Sequence, residues 1–223
     1  MRLVISLGGS LLTRELTPEN FKKYADTLRK LKNKGHKIVV VVGGGKVCRE
    51  YRDIAKKFTS DNILLDWIGI LATHLNAFTL IAALKKDVHP VSLKTVQEVK
   101  KNFKDKILVC GGNVPGSSTG YDAALFAEII KADLLIKASD IDGVYSADPD
   151  IDPDAKKYDR LTHDEFLKII EQNPQTPGEY RLFDLKAARL IKKNKIKTIF
   201  IDGTDPEEIV RAIEGKHRGT IIE

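Results

Sequence analysis

The sequence predicts an α/β protein, a three-layer α/β/α sandwich in which a mainly parallel central sheet lies between two layers of helices. Two observations lead to this fold class. Short apolar runs alternate with longer amphipathic segments along the chain, and residues 38–42 are five β-branched residues in succession. Such a run is typical of a strand that helices cover on both faces. Regular alternation of strand and helix favours parallel pairing of the strands.

Each predicted element follows from a local signal. Thr17 and Pro18 mark the start of the first long helix, as its cap and its first residue. The apolar residues of that helix, such as Phe21 and Leu28, recur on one side, and Gly35 ends it. The predicted strands are 3–7, 38–42, 90–93, 107–110, 134–138 and 198–201. The predicted helices are 18–34, 46–57, 63–84, 95–103, 122–131, 163–172, 184–193 and 206–214, and residues 140–153 are predicted to be a loop.

Composition and charge indicate one soluble domain that spans residues 1–223. The net charge is +6 and the basic residues are scattered, so we expect no nucleic-acid partner. Cys48 and Cys110 belong to no metal-ligand pattern and are expected to be reduced thiols. Residues 63–84 are long and apolar, but they include Asp66, His74 and Asn76. We therefore expect a buried helix there rather than a membrane span, no signal peptide, and a cytoplasmic protein.

Three of the predicted strands end in a glycine pair or triplet, at residues 8–9, 43–45 and 111–112. In an open α/β sheet, ligands bind beyond the carboxyl ends of the strands. Glycines at these positions let backbone N–H groups approach an anion, and a helix that follows adds its positive end. One such turn is weak support, because glycine also serves plain turns. Three of them together favour a site for phosphates.

The common nucleotide and hydrolase motifs are absent. The Gly-x-Gly-x-x-Gly pattern does not follow a strand, and Val47 stands where a P-loop would have its hydroxyl after Lys46. No arrangement of the dispersed histidines suggests a hydrolase or a metalloprotease. Phosphoryl transfer, in contrast, needs positioning and positive charge more than a covalent catalyst. Lys46 and Arg49 stand one turn apart behind the glycine triplet, although a solvated helix charge is the alternative for each.

Several segments, which cover essentially the whole chain in the right order, resemble the amino-acid kinase family, most specifically its archaeal UMP kinase members. The matching segments are 4–10, 39–46, 66–70, 111–119 and 132–149. They read VISLGGS, VVVVGGGK, DWIGI, GGNVPGSST and ADLLIKASDIDGVYSADP.

The resemblance implies the amino-acid kinase fold, with ATP and UMP side by side across the carboxyl edge of the sheet. It implies Mg²⁺-assisted transfer of the γ-phosphoryl group of ATP to UMP, in pyrimidine nucleotide biosynthesis. An N-terminal lobe, to about residue 130, would bind the phosphate acceptor, and residues 131–223 would bind ATP. It also implies a homohexamer, a trimer of dimers, in which the apolar helix packs against its twin.

The resemblance also assigns roles to residues. The catalytic candidates are Arg49 and Lys46. The residues that would bind ATP are Gly9, Ser10, Gly45, Arg49, Ser139, Asp140, Tyr145 and Asp148. The residues that would bind UMP are Gly44, Asp66, Val114, Pro115, Gly116, Ser117, Ser118, Thr119 and Gly120. Asp66 would accept hydrogen bonds from the ribose, although a helix N-cap is its alternative role. No residue is assigned to Mg²⁺.

The chain departs from the family pattern at three places. Ser6 stands where many members have a lysine on the first strand, and His74 stands where an arginine often occurs. Relatives often have an aspartate directly after the threonine at the position of Thr119, where this chain has Gly120, with Asp122 two residues further on.

Other functions on the same fold are the alternatives. Isopentenyl phosphate kinase would have a histidine soon after the glycine triplet, and residues 46–49 contain none. Acetylglutamate and aspartate kinases would need a polar pocket for an amino-acid carboxylate, which the sequence does not reveal. A molybdate or tungstate storage protein, which binds ATP without catalysis, is the alternative from another functional class.

Overall fold

The computed structural model describes residues 1–149, 151–172 and 183–223. Within these ranges, seven strands form one sheet in the order β3-β2-β1-β4-β8-β9-β7. They are β1 (Arg2–Leu7), β2 (Lys37–Val42), β3 (Leu108–Cys110), β4 (Leu134–Ser139), β7 (Arg160–Leu161), β8 (Thr198–Asp202) and β9 (Thr220–Ile222). The strands from β3 to β8 in this order are parallel, and β9 runs antiparallel to β8. The prediction of a mainly parallel sheet is confirmed.

Helices cover both faces of the sheet, which confirms the three-layer sandwich. The helices are α1 (Gly9–Thr13), α2 (Pro18–Asn33), α3 (Gly45–Ala55), α4 (Asn62–Leu84), α5 (Val96–Asn102), α6 (Thr119–Ile130), α7 (His163–Gln172), α8 (Leu185–Asn194) and α9 (Glu207–Ile213). One buried cluster joins α2, α4 and α9 to the sheet. A second cluster joins α5, α6, α7 and α8 to the opposite face.

Strand β1 shows why the sheet carries two cores. Successive side chains of a strand point to opposite faces. Leu3, Ile5 and Leu7 lie in the first cluster, whereas Val4 lies in the second. All four are at most 2% exposed, because a strand at this position must bury apolar side chains on both faces of the sheet.

The predicted strand at residues 90–93 is wrong. This segment lies beside β3, but it makes only isolated bridges, from Val88 to Ile107 and from Leu93 to Cys110. Pro90 has no backbone N–H and cannot complete a ladder between those bridges.

Several short elements were not predicted. Helix α1 begins at Gly9, where the sequence suggested a loop, and α6 begins at Thr119 rather than at residue 122. Strands β5 (Val144–Tyr145) and β6 (Lys157–Tyr158) form a separate antiparallel pair, and β5 interrupts the predicted loop 140–153. Strands of two or three residues are too short to show any periodicity.

Helix α4 is the apolar segment seen in the sequence. Its N-cap is Asp61, whose side chain accepts a hydrogen bond from the backbone N–H of Ile63 at 2.9 Å. Asp66 therefore does not cap the helix, and it lies in the second turn. By length and composition alone α4 could cross a membrane, but more than half of its most apolar stretch is buried within the protein. That burial is typical of the core helix of a soluble domain.

Candidate active site

The first two glycine turns contact each other at the carboxyl edge of β1 and β2. A side chain at Gly9 would place its Cβ 2.2 Å from the nitrogen of Gly45 and 2.4 Å from the carbonyl carbon of Gly43. Only glycine permits this approach. Gly45 also has a φ of +62°, which L side chains rarely adopt. The Thr13 hydroxyl fastens the two turns, since it donates to the Gly9 carbonyl at 2.9 Å and accepts from the Lys46 backbone N–H at 2.8 Å.

Arg49 faces the first glycine turn from the helix that follows the second. Its Nη1 lies 3.4 Å from Ser10 Oγ. Lys46 points elsewhere, with its ammonium 3.7 Å from the Glu50 carboxylate at the surface. The structure therefore places Arg49 beside Ser10 and gives Lys46 an exposed ion-pair partner.

Ser139 and Asp140 lie next to the same turn, at the end of β4. The backbone N–H of Gly8 donates to the Ala138 carbonyl at 2.8 Å, which brings Ser139 beside the glycines. Asp140 lies 3.5 Å from Arg14. Four predicted ATP ligands, Gly9, Ser10, Ser139 and Asp140, are thus gathered at one edge.

Tyr145 belongs to the separate β5–β6 pair, and Asp148 lies in the turn between these two strands. The Tyr145 hydroxyl donates to Asp142 at 2.7 Å, and this hydrogen bond raises the pKa of Tyr145 to about 12. Asp142 also accepts from Lys157 at 2.8 Å. The carbonyl of Asp148 accepts the backbone N–H groups of the turn at residues 151 and 152. This small sheet, and not the main one, positions these two candidates.

The third glycine turn is held from behind by α4. The Thr73 hydroxyl accepts from the Gly112 backbone N–H at 2.7 Å. His74 is buried, with Nδ1 2.8 Å from Ser92 Oγ and Nε2 3.0 Å from the Gly112 carbonyl. Burial lowers the pKa of His74, so the ring is neutral and donates from Nε2. His74 stands where members of the family that the sequence resembles often have an arginine. A neutral imidazole here makes the hydrogen bond to Gly112.

Asp66 reaches from α4 to the tip of the acceptor loop, which comprises residues 113–118. One carboxylate oxygen accepts from the Gly116 backbone N–H at 2.8 Å, and the other lies 3.5 Å from Arg52 Nη2. The Asp66 side chain remains 32% exposed. It can therefore accept further hydrogen bonds from a ligand, since a carboxylate has about four acceptor positions.

Asp122 braces the acceptor loop from inside. It is 1% exposed. It accepts from the Asn113 backbone N–H at 3.2 Å and from Ser117 Oγ at 3.0 Å. Burial raises the pKa of Asp122 to about 6. Asp122 therefore faces the protein interior and does not line the cleft beside Gly120.

A cleft of about 890 Å³ opens between α3, the acceptor loop and the start of α8. The cations that line it are Arg52, Lys137, Lys186 and Arg189, and the anions are Asp66 and Asp184. The Ser118 side chain caps α6 through the Tyr121 backbone N–H at 2.9 Å and also donates to Asp184, the N-cap of α8. The positive ends of α6 and α8 thus meet at the cleft, which suits an anionic ligand.

A family model described as the amino acid kinase family matches residues 1–202 of the chain. The chain belongs to the amino acid kinase family. Among similar members, the uridylate kinases of Archaeoglobus fulgidus and of Methanococcus maripaludis strain C7 are each 42% identical to it. The first alignment covers 100% of both chains, and the second covers 100% of this chain and 99% of the relative.

Solved structures of this family show the same fold. A crystal structure of the uridylate kinase from Archaeoglobus fulgidus has a TM-score of 0.90 at 41% identity, with 100% of each chain covered. The UMP kinase from Ureaplasma parvum has a TM-score of 0.82 at 24% identity, with 100% of this chain and 98% of that chain covered. The predicted amino-acid kinase fold is confirmed.

Several cleft residues were not predicted from the sequence, among them Arg52, Asp184 and Lys137. In the sequence, Arg52 looks like any solvent-exposed basic residue on a helix, and nothing indicates that it faces a site. Asp184 was taken only as the start of a helix, and it also receives Ser118. Lys137 interrupts a run of apolar residues in β4, and that interruption is the signal that could have found it.

Proposed function

We propose that this protein is a UMP kinase, which transfers the γ-phosphoryl group of ATP to UMP and yields ADP and UDP in pyrimidine nucleotide biosynthesis. The observation that carries the proposal is the cleft between α3, the acceptor loop and the start of α8, which the Asp66 carboxylate lines. Two vicinal ribose hydroxyls are suitable donors for that carboxylate. Relatives of the same length that are named uridylate kinases support it.

The acceptor would bind chiefly to residues before about 130, and ATP to residues 131–223 together with the first two glycine turns. Gly44, Asp66 and residues 114–120 would surround UMP. Gly9, Ser10, Gly45 and Arg49 would contact the ATP phosphates. Ser139, Asp140, Tyr145 and Asp148 would hold the adenosine end.

The reaction requires no general base. A phosphate oxygen of UMP attacks the γ-phosphorus, and the bond to the β–γ bridging oxygen breaks, so that ADP leaves with the electron pair. A phosphate dianion carries no proton on the attacking oxygen. What the protein must supply is in-line positioning and positive charge. Arg49 is the better placed of the two catalytic candidates, because Lys46 is exposed and lies beside Glu50.

Mg²⁺ enters this proposal with ATP. The described residues contain no cluster of three or more His, Cys, Asp or Glu side chains that could hold a metal ion. That fits Mg²⁺, which keeps several waters and binds through one or two carboxylates and the substrate phosphates. Asp140 and Asp184 are the carboxylates that would hold it. When bound, the ion neutralises charge on the phosphates.

The proposed assembly is a cytoplasmic homohexamer, a trimer of dimers. One face of α4 supports this, because Trp67, Leu71, Leu75 and Phe78 are 45–63% exposed and recur every three or four residues. A contiguous apolar helix face of this kind marks a protein interface. A second copy of α4 is its proposed partner.

The proposal is tested by following the label from [γ-³²P]ATP in the presence of Mg²⁺ and UMP. Label should appear in UDP in a 1:1 ratio to the ADP formed, and no ADP should form without UMP. Label released as inorganic phosphate at the same rate with and without UMP would show an ATPase instead. No observation favours a storage protein or another kinase of this fold.

A further inference from the structure

Lys137 is a cation in a strand whose first three residues are buried and apolar. In β4, Leu135 lies in the second core cluster, and Lys137 follows it on the same face, two residues nearer the carboxyl end. There the layer formed by α6 and α8 opens, and Lys137 is half-buried and lines the cleft with Gly120, Phe183 and Asp184.

The Lys137 ammonium makes no hydrogen bond or ion pair to any residue that the structure describes. The two nearby carboxylates have partners of their own. Asp184 receives the Ser118 hydroxyl and the Ala187 backbone N–H, and Asp140 lies beside Arg14. Lys137 is thus held near negative charge without being paired.

A second polar group without a partner lies beside Lys137. Ser6 of β1 is in register with Lys137, on the neighbouring parallel strand. In-register neighbours lie about 4.8 Å apart and point to the same face. The Ser6 hydroxyl is buried and has no hydrogen-bond partner within the described ranges. Two adjacent polar groups without partners among the described residues therefore lie at this edge of the sheet, and Lys137 is the one that lines the cleft.

Keeping such a cation costs stability. Burial lowers the pKa of Lys137, and the negative charges of Asp184 and Asp140 only partly oppose this effect. An apolar residue at this position would avoid the cost of desolvation. An anion bound in the cleft would offset this cost. Lys137 precedes Ala138, whose carbonyl accepts from Gly8 of the first glycine turn. Because the ATP phosphates are proposed to bind at that turn, the anion would be a phosphoryl group.

We propose that Lys137, which lies in register with Ser6, binds the phosphoryl group while it passes from ATP to the acceptor. This inference rests on the proposed function. As the acceptor oxygen attacks and the bond to the β–γ bridging oxygen breaks, Lys137 donates to an oxygen of the transferring group and stays protonated. Its contribution is greatest in the transition state, so it acts on kcat.

The test compares three variants in the full-length protein. Lys137→Met removes the charge and keeps an unbranched chain, Lys137→Arg keeps the charge, and Lys101→Met makes the same change on the exposed face of α5. We expect Lys137→Met to lower kcat by about 100-fold or more, with the KM for UMP within about threefold. The unfolding temperature of Lys137→Met should equal or exceed that of the wild type. Lys137→Arg should recover part of kcat, and Lys101→Met should match the wild type.

A binding measurement separates this role from a structural one. Mg-ADP with aluminium fluoride and UMP mimics the transferring phosphoryl group, and it should raise the unfolding temperature of wild type and of Lys101→Met. Lys137→Met should lose the part of that rise that depends on aluminium fluoride. Unchanged kcat in Lys137→Met, or an undiminished fluoride-dependent rise, would overturn the proposal.

Failure of the proposed function would look different. If the wild type does not phosphorylate UMP, the proposed function fails. The rise in unfolding temperature that aluminium fluoride causes with Mg-ADP, measured without UMP, would then still decide whether Lys137 contacts the phosphoryl group.

Discussion

The carboxylate of Asp66 accepts a hydrogen bond from the backbone N–H of Gly116 at 2.8 Å. This bond joins the second turn of α4 to the tip of the acceptor loop. Gly116 has a φ of +77°, so the loop turns sharply where the carboxylate holds it. Asp66 thus has two tasks, shaping the loop and offering acceptors to a ligand in the cleft.

Replacement of Asp66 should weaken use of the acceptor. Asp66→Ala removes the charged hydrogen bond proposed for the ribose, worth about 1.5–3 kcal/mol, and it also frees the loop at Gly116. We expect the KM for UMP to rise by about 10- to 150-fold, with a smaller effect on the KM for ATP. Steady-state kinetics measure both. Asp53→Ala, on the exposed side of α3, is the control, and an unchanged KM for UMP in Asp66→Ala would refute the assignment.

Arg49 should act mainly on the chemical step. Because it lies beside Ser10 at the first glycine turn, Arg49→Ala should lower kcat by about 100-fold. Lys46→Ala should have a smaller effect, since its ammonium lies beside Glu50 at the surface. Arg160→Ala, which removes an exposed arginine paired with Glu223, serves as the control. Wild-type kcat in Arg49→Ala would show that Arg49 takes no part in the reaction.

Asp122 should make stability depend on pH. Its pKa rises from 3.8 in the unfolded chain to about 6 in the folded protein, so the folded state binds the proton more tightly. The stability that this provides is complete below pH 4 and is lost as the pH rises through 6, and at about 1.4 kcal/mol per pKa unit it amounts to about 3 kcal/mol. Asp122→Asn should abolish this component.

The measurement for Asp122 is the free energy of unfolding in urea, for wild type and Asp122→Asn, between pH 4 and pH 8. The difference between the two proteins should change in favour of the variant as the pH rises. Asp53→Asn is the matched control on an exposed helix. A difference that stays constant with pH would contradict the assignment of this proton to Asp122.

The exposed face of α4 should govern assembly. Leu71→Asp places a charge at the centre of the apolar stripe, where an interface would have to desolvate it. We expect the wild type to be a hexamer by light scattering, and Leu71→Asp to form smaller species with an unchanged circular dichroism spectrum. Ile151→Asp, at an exposed aliphatic position outside the stripe, is the control. A monomeric wild type would refute the proposed assembly.

The sequence predicts those features of the fold whose signals are local. The β-branched run of β2 and the Thr17–Pro18 start of α2 could be read directly, and the glycines after β1 and β2 indicated turns at one edge. Helix α1 was missed because Gly9 and Ser10 are poor helix formers. Strands β5, β6, β7 and β9 were missed because they are two or three residues long.

The parts of the site that could not be predicted depend on register and packing. Lys137 becomes a cleft residue only because β4 pairs with β1 so that it lies opposite Ser6. Asp122 was counted with the acceptor loop, and its burial under Asn113 and Ser117 follows from α6 beginning at Thr119. Asp184 meets Ser118 through contact between two helix ends that are 66 residues apart in the chain.

The measurement that tests the central claim most directly is ADP release from Mg-ATP with a panel of acceptors. The panel comprises UMP, dUMP, CMP, AMP, isopentenyl phosphate and acetylglutamate, each assayed over a range of concentrations. We expect kcat/KM with UMP to exceed that with every other acceptor. A higher kcat/KM with any other acceptor, or no turnover with any of them together with tight binding of molybdate or tungstate, would contradict the proposal that this protein is a UMP kinase.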